Sequence, residues 1–143
     1  MDDTDRDLLN LLAQNARLPV ATLAKRLGLA RSTVQARLDR LESTGLIAGY
    51  TLRLGDAARA RRILATVLLA IEPRALPQVL TRLKSLTEVE EAHTTTGRVD
   101  LILRLAAPTT EALDAALDRI GAIPGVRSSE SLIQLTTKIA RGL

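Results

Sequence analysis

Residues 93–105 read HTTTGRVDLILRL. Three threonines run into a glycine, and a single carboxylate, Asp100, stands at the mouth of an apolar run. Turn chemistry accounts for the glycine. It does not account for hydroxyls, bare backbone and one negative charge sharing the edge of a strand. A second group, RSTVQARLDR over 31–40, mixes arginines with small and amide side chains. Arginine holds phosphate, and a glutamine amide reads a base edge, so this group has the parts for nucleic-acid recognition. Other chemistry has little to work with. The chain has one histidine, His93, and no cysteine, so nucleophilic triads and metal clusters lack components. Neither a catalytic residue nor a metal or cofactor site is expected. His93 is expected to be a partly exposed strand residue.

Composition narrows the classes further. At 143 residues the chain suits one compact domain or two small ones. Without cysteine it forms no disulfide and fits a reducing compartment. No apolar window reaches membrane-spanning length, and the acidic opening MDDTDRD is not followed by a signal pattern. The expectation is a cytoplasmic protein with no membrane partner. Tyr50 is the one aromatic residue. Single-stranded nucleic acids are held by stacking bases on aromatic rings, so an RNA-binding βαββαβ module is disfavoured. Charge is uneven. Residues 17–62 hold ten basic and three acidic side chains, while 63–143 hold nine of each. The positive excess therefore sits in the first part, where it attracts polyanions, chiefly DNA. That placement also disfavours a stand-alone metabolite sensor.

The elements that must position these groups follow from two different periods. Leu8, Leu9, Leu11 and Leu12 mark one face of a first helix, with Asp2, Asp3 and Asp5 near its positive end. PVATLAKRLGL is a second, short helix with Pro19 in its first turn and Gly28 at its end. A third helix starts near Arg31. Its Val34, Leu38 and Leu41 share one face, and Gly45 terminates it. Helix, tight turn, helix is the helix-turn-helix pattern. With that apolar face inward, Ser32, Gln35, Ala36 and Asp39 point outward, flanked by Thr33 and Arg40. The DNA-contacting candidates are Arg31, Ser32, Thr33, Gln35, Ala36, Arg37 and Arg40, on double-stranded DNA.

After Gly45 the pattern changes. LIAGYTLRL, residues 46–54, reads as a strand, and GDAARARR, residues 55–62, as a linker. The remainder orders as βαββαβ. ILATVLLAI is a strand, and EPRALPQVLTRLKSL a helix with Pro73 near its start. EVEEAHTT and VDLILRLAA form a hairpin. TTEALDAALDRIGAI is a helix capped by Thr109 or Thr110, and RSSESLIQLTT is the last strand. Two helices cover one face of such a sheet, yet ILATVLLAI is apolar on both. The uncovered face calls for a second copy, making a two-fold dimer. From the residues alone, Gly97 and Asp100 stand either as a turn residue and a hairpin cap or as part of a binding site.

Taken together, DRDLLNLLAQNARLPVATLAKRLGLARSTVQARLDRLESTGLIAGYT, followed by TGRVDLILRL and IPGVRSSESLI, resembles the Lrp/AsnC family of transcriptional regulators over nearly the whole chain. The resemblance implies an α+β chain with an N-terminal winged helix-turn-helix over 1–54. A linker over 55–62 would lead to a ferredoxin-like sensing and oligomerisation domain over 63–143. It also implies an amino-acid effector, and dimers that associate further, octamers included. By the same likeness Thr96, Gly97, Arg98, Val99 and Asp100 are effector-binding candidates, with Ser129, Ser131 and Leu132 on the last strand as weaker ones. A free amino acid needs an acceptor for its ammonium and donors for its carboxylate. Asp100, the backbone near Gly97 and the threonine hydroxyls supply them. The chain departs from the family in holding Ala30 and Pro19 where serine is common. The rival reading is an enzyme of the same architecture, such as a siroheme decarboxylase. One histidine and almost no aromatics argue against it.

Overall fold

The structure is a computed structural model and describes residues 1–140. The chain forms two compact units, the first built on Met1–Arg53 and the second on Leu54–Lys138. Among the described residues no helix is long and apolar enough to cross a membrane.

The first unit consists of α1 (Asp3–Gln14), α2 (Val20–Leu27) and α3 (Arg31–Ser43). Leu8, Leu23, Val34 and Leu41 are fully buried, with Leu12, Ala24 and Leu38 around them. Burying each such leucine or valine removes about 1.5–3 kcal/mol of unfavourable hydration. The three residues expected to share one face of the third helix therefore do so. α1 begins with a capping box: Asp2 accepts the Asp5 backbone N–H, and Asp5 accepts that of Asp2. Neither α2 nor α3 has a side-chain cap. Pro19 and Ala30 occupy the two N-cap positions, so Pro19 stands one residue before the first turn rather than inside it.

Residues 46–54 form no strand, contrary to the expectation from their β-prone composition. A strand needs a neighbour for its backbone groups, and composition alone supplies none. Leu46, Tyr50, Leu52 and Leu54 are exposed. The Tyr50 hydroxyl donates to Glu42 Oε1 at 2.7 Å. Within 55–62 the expected linker contains one helical turn, α4 (Asp56–Arg59).

The second unit is a four-stranded antiparallel sheet with two helices. It runs β1 (Ile63–Ile71), α5 (Leu76–Lys84), β2 (Val89–Thr94), β3 (Leu101–Ala107), α6 (Thr110–Gly121), β4 (Val126–Ile133). Strand order is β2-β3-β1-β4, which is the ferredoxin-like arrangement expected from the βαββαβ order. The α5 helix begins after Pro73, with Pro77 in its first turn. Thr109 caps α6 by accepting the Ala112 N–H. Ala65, Val67, Leu69 and Ile71 of β1 face a core completed by β3, Val79 and Leu83 of α5, and Leu113, Ala116 and Ile120 of α6. The alternate residues of β1, Leu64, Thr66, Leu68 and Ala70, are only half-buried and lie on the opposite face. Ile102 pairs with Leu68 there, and Leu132 with Thr66. β1 is thus apolar on both sides, as read, with helices on one.

Among the described glycines, Gly125 is the one where an added Cβ would meet a neighbour. Its φ is +101°, and a Cβ placed there would overlap the Ala75 Cβ. Its carbonyl also accepts the Glu72 N–H at 2.8 Å, tying the end of β1 to the start of β4. Gly125→Ala combines left-handed strain with overpacking and should cost about 2–4 kcal/mol. Chemical denaturation of the purified variant beside wild type measures it, and a loss below about 1 kcal/mol would show that Ala75 yields freely.

Candidate functional site

α3 carries the first candidate group. Arg31, Ser32, Thr33, Gln35, Ala36 and Arg40 are exposed, whereas Arg37 is half-buried. Ser32, Thr33, Ala36, Arg37 and Arg40 line one shallow open depression. Gln35 Nε2 donates to Asp39 Oδ1 at 2.8 Å one turn along, which holds its amide on the outward face. No ion pair involves Arg31, Lys25 or Arg26 among the described residues.

Arg37 and Arg40 are differently placed. Arg37 Nη1 lies 2.8 Å from Asp2 Oδ2 and 2.8 Å from Asp5 Oδ1. Arg40 Nη2 lies 2.6 Å from Asp5 Oδ2. Asp5 has no exposed surface and is the one buried charged residue among those described. Its two oxygens face two guanidinium groups and the Asp2 N–H, so a carboxylate that would be costly to bury alone is matched on every side. Hydrogen bonding from Arg37 is the largest cause that lowers the Asp2 pKa, to about 2. The same guanidinium pulls Asp5 down, and Asp2 and then Asp5 raise that of Arg37. The sequence places both arginines among the phosphate contacts, yet their charge is already met inside the unit. The acidic opening reads by itself as a complement to the helix dipole. The paired spacing of Asp2 and Asp5 against Arg37 and Arg40, three apart on each helix, is the signal that points to the pairing.

The second candidate group lies where β1, β3 and the turn 95–100 meet. Gly97 has φ +101°, and nothing lies within 4 Å of where its Cβ would be, so open space adjoins the turn. Thr95 closes it by donating its hydroxyl to the Val99 carbonyl at 2.9 Å and its N–H to the Asp100 carbonyl at 3.0 Å. Asp100 N–H donates to the Leu69 carbonyl at 2.8 Å, and Asp100 Oδ2 accepts the Ile71 N–H at 2.7 Å. Asp100 therefore fastens the end of β1 with one carboxylate oxygen. Arg98 reaches Glu130 Oε2 on β4 at 3.3 Å. Ser129 pairs with Leu69 and Ser131 with Val67, so both serines lie on the helix side of the sheet, exposed at its edge. Leu132, opposite Thr66, lies on the uncovered side. The eight candidates thus do not share one face: the turn residues cluster, and the β4 residues divide. His93 is an exposed strand residue, 3.4 Å from Glu91.

Two family models match the chain. One describes the AsnC-type helix-turn-helix domain, over residues 1–42, and the other the Lrp/AsnC ligand binding domain, over residues 64–143. The chain belongs to the Lrp/AsnC family. The HTH-type transcriptional regulator FL11 of Pyrococcus abyssi is 30% identical over 96% of this chain and 91% of its own length. The regulatory protein AsnC of Escherichia coli is 29% identical over 99% of this chain and 94% of its own. The solved structure of that AsnC superposes with a TM-score of 0.89 at 28% identity, covering 100% of this chain and 97% of the other. A transcriptional regulator of Neisseria meningitidis, NMB0573, solved as a complex with L-Met, superposes at 0.88 with 25% identity over 99% and 94% of the two chains. Within this Lrp/AsnC chain, α3 is the second helix of the helix-turn-helix and the turn 95–100 belongs to the ligand-binding domain.

The Asp2–Asp5–Arg37–Arg40 cluster gives this chain an acid limit. Both carboxyl pKa values are lowered on folding, so their contribution to stability is complete above the ordinary carboxyl range near 4. It is lost as pH falls through the folded values, about 2 for Asp2. Melting the first unit, residues 1–53, between pH 5 and pH 2 should show its transition falling steeply below pH 4. In Asp2→Asn the fall should be shallower. A wild-type melting temperature flat across that range would contradict this account.

Proposed function

We propose that this protein is a transcriptional regulator that reads double-stranded DNA through α3 and adjusts its assembly or DNA affinity when an amino acid binds at the turn 95–100. The observation that carries the DNA reading is the outward row of α3. Small residues, Ser32, Thr33 and Ala36, stand there beside the Gln35 amide, with Arg31 at the helix start in no ion pair among the described residues. Small side chains let a helix enter the major groove, an amide reads a base edge, and a cation at the rim holds phosphate. Lys25 and Arg26, in the last turn of α2, add positive charge to the same unit. Ala30 gives α3 no side-chain cap, which forgoes roughly 1 kcal/mol and leaves its first N–H groups to solvent or an anion.

The ligand reading rests on the turn. The Asp100 oxygen not engaged by Ile71 accepts an ammonium, and the open backbone at Gly97 with the Thr96 hydroxyl meets a carboxylate. The relative solved with L-Met supports an α-amino acid as the class. The uncovered sheet face supports a dimer. Leu64, Leu68, Ile102 and Leu132 lie there, opposite the face that α5 and α6 cover, and a second copy packed on that face buries them.

Binding to a promoter fragment tests the DNA reading. Arg31→Ala should weaken binding to all sequences alike and lower the salt slope by about one unit. Gln35→Ala should instead relax preference at one base position, worth about 1–3 kcal/mol. Equal behaviour of wild type and both variants in fluorescence anisotropy across a salt series would remove α3 from the interface.

Calorimetric titration with the twenty amino acids, beside native mass measurement, tests the ligand reading. Asp100→Asn keeps an oxygen for the Ile71 N–H but removes the charge. It should weaken the ligand by roughly 1.5–3 kcal/mol, at least tenfold, with folding intact. In the mass measurement wild type should be at least dimeric, and Leu68→Asp, on the uncovered face, should be a folded monomer. A ligand bound equally by Asp100→Asn ends the assignment of Asp100, and an assembled Leu68→Asp ends that of the sheet face.

A further inference from the structure

We infer that Asp2 and Asp5 set the DNA specificity of this protein, by occupying Arg37 and Arg40 so that phosphate cannot recruit their full charge. The inference rests on the reading of α3 as the DNA-facing helix and goes beyond it. Arg37 and Arg40 line the depression on that helix together with Ser32, Thr33 and Ala36. Left unpaired, they would give it two positive charges. Instead Asp2 and Asp5 lie against them at 2.6–2.8 Å, and the cluster sums to zero. The carboxylates are within bonding distance, well inside the screening length of about 8 Å at physiological salt, so any phosphate arriving at this face meets them as well.

The consequence is differential. Phosphate contacts supply almost all non-specific affinity and carry no sequence information, whereas base-edge contacts supply discrimination. A pair of arginines neutralised in advance subtracts from the first and leaves the second, made by Gln35 and the small residues, untouched. The two acidic residues have separate duties. Asp5, fully buried, holds both guanidinium groups in place. Asp2, with 55% of its side chain exposed, is the one that can be changed without leaving a buried charge unpaired. Asparagine caps a helix as well as aspartate does, so Asp2→Asn keeps the acceptor for the Asp5 N–H while releasing one negative charge.

The experiment measures binding of the full chain to a promoter fragment and to a random-sequence duplex across a salt series, for wild type, Asp2→Asn and Asp7→Asn. Asp7 is exposed on α1 and forms no ion pair among the described residues, so it controls for net charge. Asp2→Asn should steepen the salt slope on random duplex by up to about one unit and bind it roughly fivefold to tenfold tighter near 0.1 M salt. The ratio of promoter to random affinity should fall. Asp7→Asn should match wild type on both counts. A purely structural role for Asp2 would weaken binding to both duplexes and leave the slope unchanged or shallower, which overturns the inference. So would an equal steepening in Asp7→Asn. Wild type that binds neither duplex overturns the DNA reading itself, and wild type that binds with an unaltered Asp2→Asn slope overturns only the role given to the carboxylate.

Discussion

The second unit depends on β1. It is one of the two interior strands of the sheet, with β3 along one edge and β4 along the other. Four of its side chains enter the core, and its carbonyl and N–H groups at Leu69 and Ile71 are held by Asp100. The strand therefore positions the turn 95–100 as well as the core. A ligand that engages Asp100 touches the residue that fastens the end of the central strand. Ala70, which lies between those two hydrogen bonds, stands on the uncovered face.

The first unit depends on a different constraint. Its core is aliphatic throughout, and an aliphatic core orients helices weakly by itself, since leucine and valine make no directional bonds. Direction comes from the Asp5 carboxylate. Two guanidinium groups one turn apart on α3 converge on it, which leaves α3 little freedom to rotate against α1. Such buried pairs add little net stability compared with a well-packed apolar substitute, yet breaking one side is costly. The cluster therefore acts more on orientation than on stability.

Much of this was legible in the sequence. Apolar spacing at three and four residues placed all three helices of the first unit. Alternation and turn residues placed the four strands and two helices of the second, because both signals report burial, which the fold obeys. The misses have separate causes. Residues 46–54 look like a strand, but pairing is a property of a partner and composition does not contain it. Pro19 and Pro73 signal helix starts, yet their exact positions at the N-cap and before the helix depend on neighbouring backbone. The pairing of Arg37 and Arg40 with Asp2 and Asp5 went unread because arginine type and helix face stand out in sequence more readily than a matched spacing of carboxylates over thirty residues away. The β4 residues Ser129, Ser131 and Leu132 fall on two faces for the same reason that any alternating strand divides its side chains.

The chain has no tryptophan, and Tyr50 is its single fluorophore. It sits after α3, half exposed, with its hydroxyl on Glu42, whose nearby carboxylate raises the phenol pKa. Intrinsic emission from this protein is therefore a one-residue optical signal. The sheet, the turn 95–100 and the uncovered face are spectroscopically dark. Any emission change seen on adding a small molecule to the turn must then have been transmitted to residue 50, so the light itself becomes a readout of communication between the two units.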